Sequence, residues 1–241
     1  MPGPDSPASG YLVEADGFRV VLDLGHGAFG ALQRYVRPAD VDAVIITHLH
    51  ADHCVDLTAY VVALRYGGEG YRCANADSRI SLIGPSGMQD RLASAYDPAA
   101  HDLGLDELFT FATPSAGELG PFSVAYAPMN HPMPTYGVRL TAGGRSLVYS
   151  ADTGESADLV GLAAGADALL CEATVGPDET LVPDLHLSGR LAGEHAAKAG
   201  VGRLLVTHVS PWQSRQRQAE DAAVAFDGTV DIAEPAGQYT I

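Results

Sequence analysis

The chain has 241 residues, enough for one large domain or two small ones with a buried core. Hydrophobic residues make up 46%, a globular value, and 27 glycines with 15 prolines stay below low-complexity composition, so wholesale disorder is excluded. Against 14 Lys and Arg stand 30 Asp and Glu, and the resulting formal charge of −16 repels polyanions and argues against an extended nucleic-acid surface.

No apolar run reaches the roughly 18–20 residues of a membrane span, and Met1-Pro2-Gly3-Pro4-Asp5 lacks the basic and apolar regions of a signal peptide. A cytoplasmic protein with no membrane partner is the expectation. Cys54, Cys73 and Cys171 are odd in number and not in CxxC spacing, which predicts reduced, mostly buried thiols.

Two short runs between Tyr11 and Asp23 flank the turn pair Asp16-Gly17 and predict an antiparallel hairpin. Val41 to Thr47 is a continuous apolar, β-branched run, which predicts a strand covered on both faces with His48 directly after it. The apolar spacing of Val55, Leu57, Val61, Val62 and Leu64 predicts a helix from Val55 to Tyr66, stopped by Gly67-Gly68. A strand Ile80 to Ile83 and a helix Ser86 to Tyr96 follow, with Gly67 to Arg79 and Pro98 to Leu105 as loops. In the second half, strands are predicted at Phe122 to Ala127, Gly137 to Thr141 and Ser146 to Ser150, the last pair joined at Gly143-Gly144. A helix Ser156 to Ala164, a strand Ala168 to Glu172, a helix Ser188 to Ala199 and a strand Arg203 to Thr207 continue the alternation, with Ser188 as a helix N-cap. This mixture of hairpins and strand–helix alternation predicts an α/β fold: a four-layer αββα sandwich of two mixed β-sheets flanked by helices, one domain over 1–241.

His48-Leu49-His50-Ala51-Asp52-His53 places three imidazoles and a carboxylate directly after a buried strand, a convergent nitrogen and oxygen site suited to a transition metal. One ion takes about four ligands, so the cluster needs completion from elsewhere. His131, Asp152, His186 and His208, all beside strand ends or loops, offer it, and two metals fit that supply better than one.

Through HLHADH at 48–53, the lone His131, Asp152 in SADTG and His208 in THVSP, the chain resembles the metallo-β-lactamase fold superfamily. The resemblance implies that His48, His50 and His131 hold one metal, that Asp52, His53 and His208 hold a second, and that Asp152 bridges them. Two Zn²⁺ ions are the implied cofactors, with Mn²⁺ or Fe as alternatives. Within the superfamily, CEAT at 171–174 and His186-Leu187-Ser188 are similar to elements of the ribonuclease Z branch. HLHADHCVDLTAYVVALRY and PDSPASGYLVEADG are most similar to short actinobacterial cyclic-nucleotide phosphodiesterases.

Departures from the branch shape the functional expectation. Cys171 replaces its histidine, leaving Glu172 to orient a ligand imidazole. The interval from His131 to Asp152 has no room for a long tRNA-gripping arm. The family's first strand and glycine-serine turn, which precede the segment resembling Pro2 to Pro7, have no counterpart, so the resemblance implies a truncated start.

The expected activity is cleavage of a phosphodiester in a small anionic substrate such as a 3′,5′-cyclic nucleotide, by attack of a hydroxide bridging two metals. The alternatives are a ribonuclease Z-like nuclease and a lactone or thioester hydrolase using the same centre. Asp52 and His186 are the catalytic candidates, His186 as proton donor to the leaving alkoxide or, otherwise, a loop histidine with satisfied hydrogen bonds. Asp23 in LDLGHG is expected to bond a ligand imidazole or the metal loop, or to shape a plain turn that Gly25 and Gly27 permit. Thr153 and Gly154 are expected to shape the turn carrying Asp152. His101 and His195 read as surface residues, and Arg139 as a partner for an acid or a phosphate. A homodimer is implied by the resemblance alone.

Overall fold

The turn pair Asp16-Gly17 joins β1 (Tyr11–Ala15) to β2 (Phe18–Leu22) as an antiparallel hairpin, both turn residues at positive φ, 48° and 79°, as a two-residue connection of this hand requires. The computed structural model describes residues 1–68, 71, 79–99 and 103–241. Cys73, His101 and the middle of both expected loops lie outside the described residues. The chain divides into two compact units, Met1–Pro114 and Ser115–Ile241.

In the first unit the hairpin is followed by α1 (Ala28–Leu32), β3 (Ala43–Ile45), α2 (Ala51–Cys54), α3 (Leu57–Tyr66), β4 (Ile80–Ile83), α4 (Met88–Tyr96) and β5 (Phe109–Ala112). The sheet order is β1-β2-β3-β4-β5, with every pairing after the hairpin parallel. Leu57, Tyr60, Val61 and Leu64 recur at helical spacing on α3 and are buried in one cluster with Val21, Val44, Ile46 and Leu82. Beta-branched strand residues supply one wall of this core and the α3 stripe another.

The second unit opens with an antiparallel meander of β6 (Gly117–Leu119), β7 (Phe122–Pro128), β8 (Tyr136–Ala142) and β9 (Arg145–Tyr149). It continues through α5 (Ala157–Ala163), β10 (Ala168–Glu172), α6 (Gly189–Ala199), β11 (Arg203–Thr207), α7 (Arg215–Ala225) and β12 (Thr229–Ile232). The order is β12-β11-β10-β9-β8-β7-β6, parallel from β9 to β12, so this sheet is mixed too. Its core gathers Val148, Leu169 and Val206 from the strands with Leu159, Ala192, Ala196 and Ala222 from the helices.

One expectation needs correction here. His195 is buried, because its side of α6 faces inward while Glu194 and Lys198 lie on the solvent side: Nδ1 donates to Leu191 O at 2.7 Å and Nε2 accepts from Ser156 N at 3.0 Å. Arg139 Nη1 donates at 2.9 Å to Leu162 O and to Ala164 O, carbonyls at the end of α5. The Ser188 hydroxyl does accept from Leu191 N at 3.3 Å as the N-cap of α6. Among the described residues no helix is long and apolar enough to cross a membrane.

In both units the polar residues singled out in the sequence follow the carboxyl ends of strands, where open α/β sheets bind ligands. Asp23 follows β2, His48 follows β3, Asp152 follows β9, Glu172 ends β10 and His208 follows β11.

Candidate metal centre

In the first unit, Asp23 leaves β2 in the left-handed region, φ 59°, and its carboxylate turns back toward the next strand end. Asp23 Oδ1 accepts from Thr47 N at 2.7 Å, and both carboxylate oxygens lie within 3.0 Å of Thr47 Oγ1. Asp23 Oδ2 lies 2.7 Å from His53 Nδ1; a carboxylate only accepts, so Nδ1 carries the hydrogen and the lone pair of His53 sits on Nε2. With its own hydrogen given to Asp23, the Thr47 hydroxyl accepts from His48 Nδ1 at 3.0 Å. His48 Nε2 then faces His50 Nδ1 at 3.1 Å. Two ligand nitrogens on one tetrahedral zinc, with bonds of roughly 2.0 Å, stand about 3.3 Å apart, close to this spacing.

Close backbone approach holds the loop in place. Leu24 N donates to His53 O at 2.7 Å and Asp56 N to Leu24 O at 3.0 Å. A Cβ at Gly25 would come within 1.8 Å of Asp52 O, so only glycine lets the two loops meet. Asp52 is the second residue of the single helical turn α2, and its Oδ2 lies 3.1 Å from the α-ammonium of Met1.

In the second unit the hub is Glu172, a carboxylate with no exposed surface. Its Oε1 accepts from Thr153 N at 2.7 Å, which ties down the loop of Asp152, and from His186 Nδ1 at 2.9 Å. Its Oε2 accepts from Thr174 Oγ1 at 2.7 Å, and that hydroxyl in turn lies 2.8 Å from His208 Nδ1. His131 Nδ1 donates to Leu185 O at 3.0 Å. In His131 and His208 this leaves Nε2 as the ligating nitrogen, and in His186 it turns Nε2 away from Glu172. His208 Nε2 stands 3.5 Å from Asp152 Oδ1, and one potential ligand atom each from Asp152, His186 and His208 lie within 4.8 Å of one another.

The Asp152 loop is pinned from several sides. Ala151 takes φ 54° and His208 φ 51°, left-handed conformations that cost non-glycine residues roughly 1–2 kcal/mol each and that surrounding bonds must hold. Asn130 supplies some of those bonds: its N donates to Thr153 Oγ1 at 3.1 Å and its O accepts from Gly154 N at 2.8 Å.

Imidazole nitrogen and carboxylate oxygen are the donors that zinc takes, and the outer acceptors that fix each ring are those of metal-binding histidines generally. The residues present therefore fit a transition metal. Asp23 and Glu172 sit where they can orient histidines, and the structure adds Thr47, Thr174 and Asn130, which the sequence did not single out. The thiols beside the cluster are electrostatically quiet: burial pushes Cys54 up to about 11 and Cys171 further still.

A profile of the Beta-lactamase superfamily domain matches residues 18–209. Uncharacterized protein Rv1339 of Mycobacterium tuberculosis is 42% identical over 95% of this chain and 84% of its own length. Ribonuclease Z of Mycobacterium bovis is 30% identical over 96% of this chain and 91% of its own. The crystal structure of the metallo-beta-lactamase fold protein YhfI from Bacillus subtilis is similar at a TM-score of 0.83 and 24% identity, covering 98% of this chain and 92% of that one, which shows the shared fold.

Proposed function

The chain belongs to the metallo-β-lactamase superfamily of metal-dependent hydrolases, and on that premise we propose that it cleaves a phosphodiester in a small anionic substrate such as a 3′,5′-cyclic nucleotide. The observation that carries the reading is the common orientation of the histidines: in His48, His53, His131, His186 and His208 alike, Nδ1 meets an outer oxygen acceptor. In this reading His48, His50 and His131 hold one metal, Asp52, His53 and His208 a second, and Asp152 both. Bound there, two zinc ions would supply acidified water near neutral pH and offset charge developing on phosphoryl oxygens.

His186 does separate work. Its Nδ1 donates to Glu172, which fixes the ring, and in this reading its Nε2 delivers a proton to the leaving sugar alkoxide. Such donation is worth about 10²–10⁴ in rate. The formal charge of −16 supports a small substrate over a long RNA. So does the interval from His131 to Asp152, which β8 and β9 occupy. The similarity to ribonuclease Z supports phosphorus over carbonyl chemistry.

The test is turnover of cyclic AMP, cyclic GMP, bis(p-nitrophenyl) phosphate, short RNA, an acyl-homoserine lactone and S-lactoylglutathione, with Zn²⁺, Mn²⁺ or Fe²⁺ added. Cyclic nucleotides should be preferred, and a chelator should abolish turnover. Preference for a carbonyl substrate, or for RNA, overturns the reading.

A further inference from the structure

Each unit uses one fully buried carboxylate to set two imidazoles, one directly and one through a threonine hydroxyl. In the first unit Asp23 bonds His53 directly and reaches His48 through Thr47. In the second, Glu172 bonds His186 directly and reaches His208 through Thr174. The local chain paths differ: Thr47 neighbours His48, whereas Thr174 lies 34 residues from His208. The recurrence therefore does not follow from a shared local turn.

We propose that Thr47 and Thr174 are positioning residues of the metal site, each fixing one histidine as the tautomer that ligates through Nε2. A threonine hydroxyl has one hydrogen. In Thr174 two oxygens compete for that hydrogen, Glu172 Oε2 at 2.7 Å and His208 O at 3.0 Å, and whichever takes it, the hydroxyl has only lone pairs to offer His208 Nδ1 at 2.8 Å. His208 must then carry its hydrogen on Nδ1, and its lone pair falls on Nε2. The same count holds for Thr47, with Asp23 within 3.0 Å on both oxygens and His48 Nδ1 at 3.0 Å. Without the hydroxyl, the opposite tautomer becomes accessible, and in it the hydrogen blocks the nitrogen that faces the metal. The carboxylate is also left with one partner fewer in a dry interior.

The inference rests on the metal-dependent reading above, and zinc affinity, measured by competition with a chelating dye, separates the two. Thr174→Val and Thr47→Val keep the shape and remove the hydroxyl; they should weaken zinc binding about 10- to 100-fold, as loss of an outer-sphere partner does. Thr174→Ser and Thr47→Ser should bind near the parental affinity. Melting of the metal-stripped proteins, followed by circular dichroism, shows whether the loss exceeds a general loss of stability. Valine variants that bind zinc as the parent does, or serine variants as weak as valine, overturn the role of the hydroxyl. A parent that takes up no zinc overturns the metal-dependent reading and this inference with it. Should the valine variants not fold, ¹⁵N correlation spectra of the imidazoles in the metal-free parent decide. Nδ1–H tautomers at His48 and His208 support the proposal, and Nε2–H tautomers overturn it.

Discussion

Oδ2 of Asp23 lies 2.7 Å from Nδ1 of His53, and neither side chain has any exposed surface. An aspartate in that place is asked to do three things: satisfy the imidazole, satisfy the backbone and hydroxyl of Thr47, and adopt φ 59°. Asp23→Ala leaves three buried donors without their acceptor, and the expected loss of folding stability is about 3–5 kcal/mol. Asp23→Asn keeps an acceptor oxygen and tolerates the left-handed backbone, so it should lose clearly less. Urea unfolding of both variants measures this; an alanine variant within about 1 kcal/mol of the parent would contradict it.

Gly25 makes a different kind of demand, because what it avoids is backbone. A methyl group added there would lie 1.8 Å from Asp52 O and 2.4 Å from Asp52 C, atoms that cannot swing aside as a flexible side chain can. Gly25→Ala should therefore shift the Asp52 turn, lower stability by about 1–3 kcal/mol or more, and weaken metal uptake. Gly30 on α1 is the control: a Cβ there meets nothing within 4 Å, so Gly30→Ala should stabilise by about 0.4–1 kcal/mol. Parallel thermal melts that move both variants the same way would refute this contrast.

Three strands are legible to the residue, Ile80–Ile83, Ala168–Glu172 and Arg203–Thr207, all mainly apolar runs, and the second stops at Glu172, whose carboxylate holds Thr153 and His186. The strand expected from Val41 to Thr47 is shorter in the fold, Ala43–Ile45, because Thr47 N donates to a carboxylate 24 residues away. No local pattern announces that bond. α7 is hidden in the sequence because its buried face is only Gln218, Ala219 and Ala222, too small and polar to stand out from RQRQAEDAAVA. His195 misleads for the related reason that Glu194 and Lys198 beside it are charged, while helical geometry turns the imidazole to the other side. The metal-binding residue types are legible because three histidines and an aspartate in six residues have little structural use otherwise. The threonines behind them are not, since threonine after a strand is common; the available signal is that one adjoins His48 and the other stands two residues after the CEAT carboxylate.

His186 and Glu172 should separate chemistry from metal binding. In the proposed reading His186→Ala keeps two metals per chain by elemental analysis and loses about 10²–10⁴ in kcat with little change in KM. Glu172→Gln should fall in kcat as well, and because Glu172 also holds Thr153 and, through Thr174, His208, it should lose zinc affinity too. A leaving group that needs no proton, such as p-nitrophenolate, should shrink the His186→Ala defect. An equal defect on both substrates, or loss of metal from the His186 variant, would place His186 among the ligands instead.

The thiols yield a prediction in pH. Burial pushes Cys54 up to about 11 from an ordinary 9.0, Arg91 opposing that only in part. A thiol whose pKa is raised on folding keeps its full contribution to stability below the unfolded value and loses it as pH climbs through the folded one. Urea midpoints should therefore fall between pH 9 and about 11, and Cys54→Ala should flatten that part of the curve while lowering it elsewhere through the small cavity it leaves. At pH 8 Cys54 and Cys171, both buried, should resist iodoacetamide in the native protein and react once it is unfolded, as peptide mapping by mass spectrometry would resolve residue by residue. Rapid native alkylation of Cys54 would mean that the turn carrying Asp52 and His53 opens far more readily than its backbone bonds to Leu24 imply.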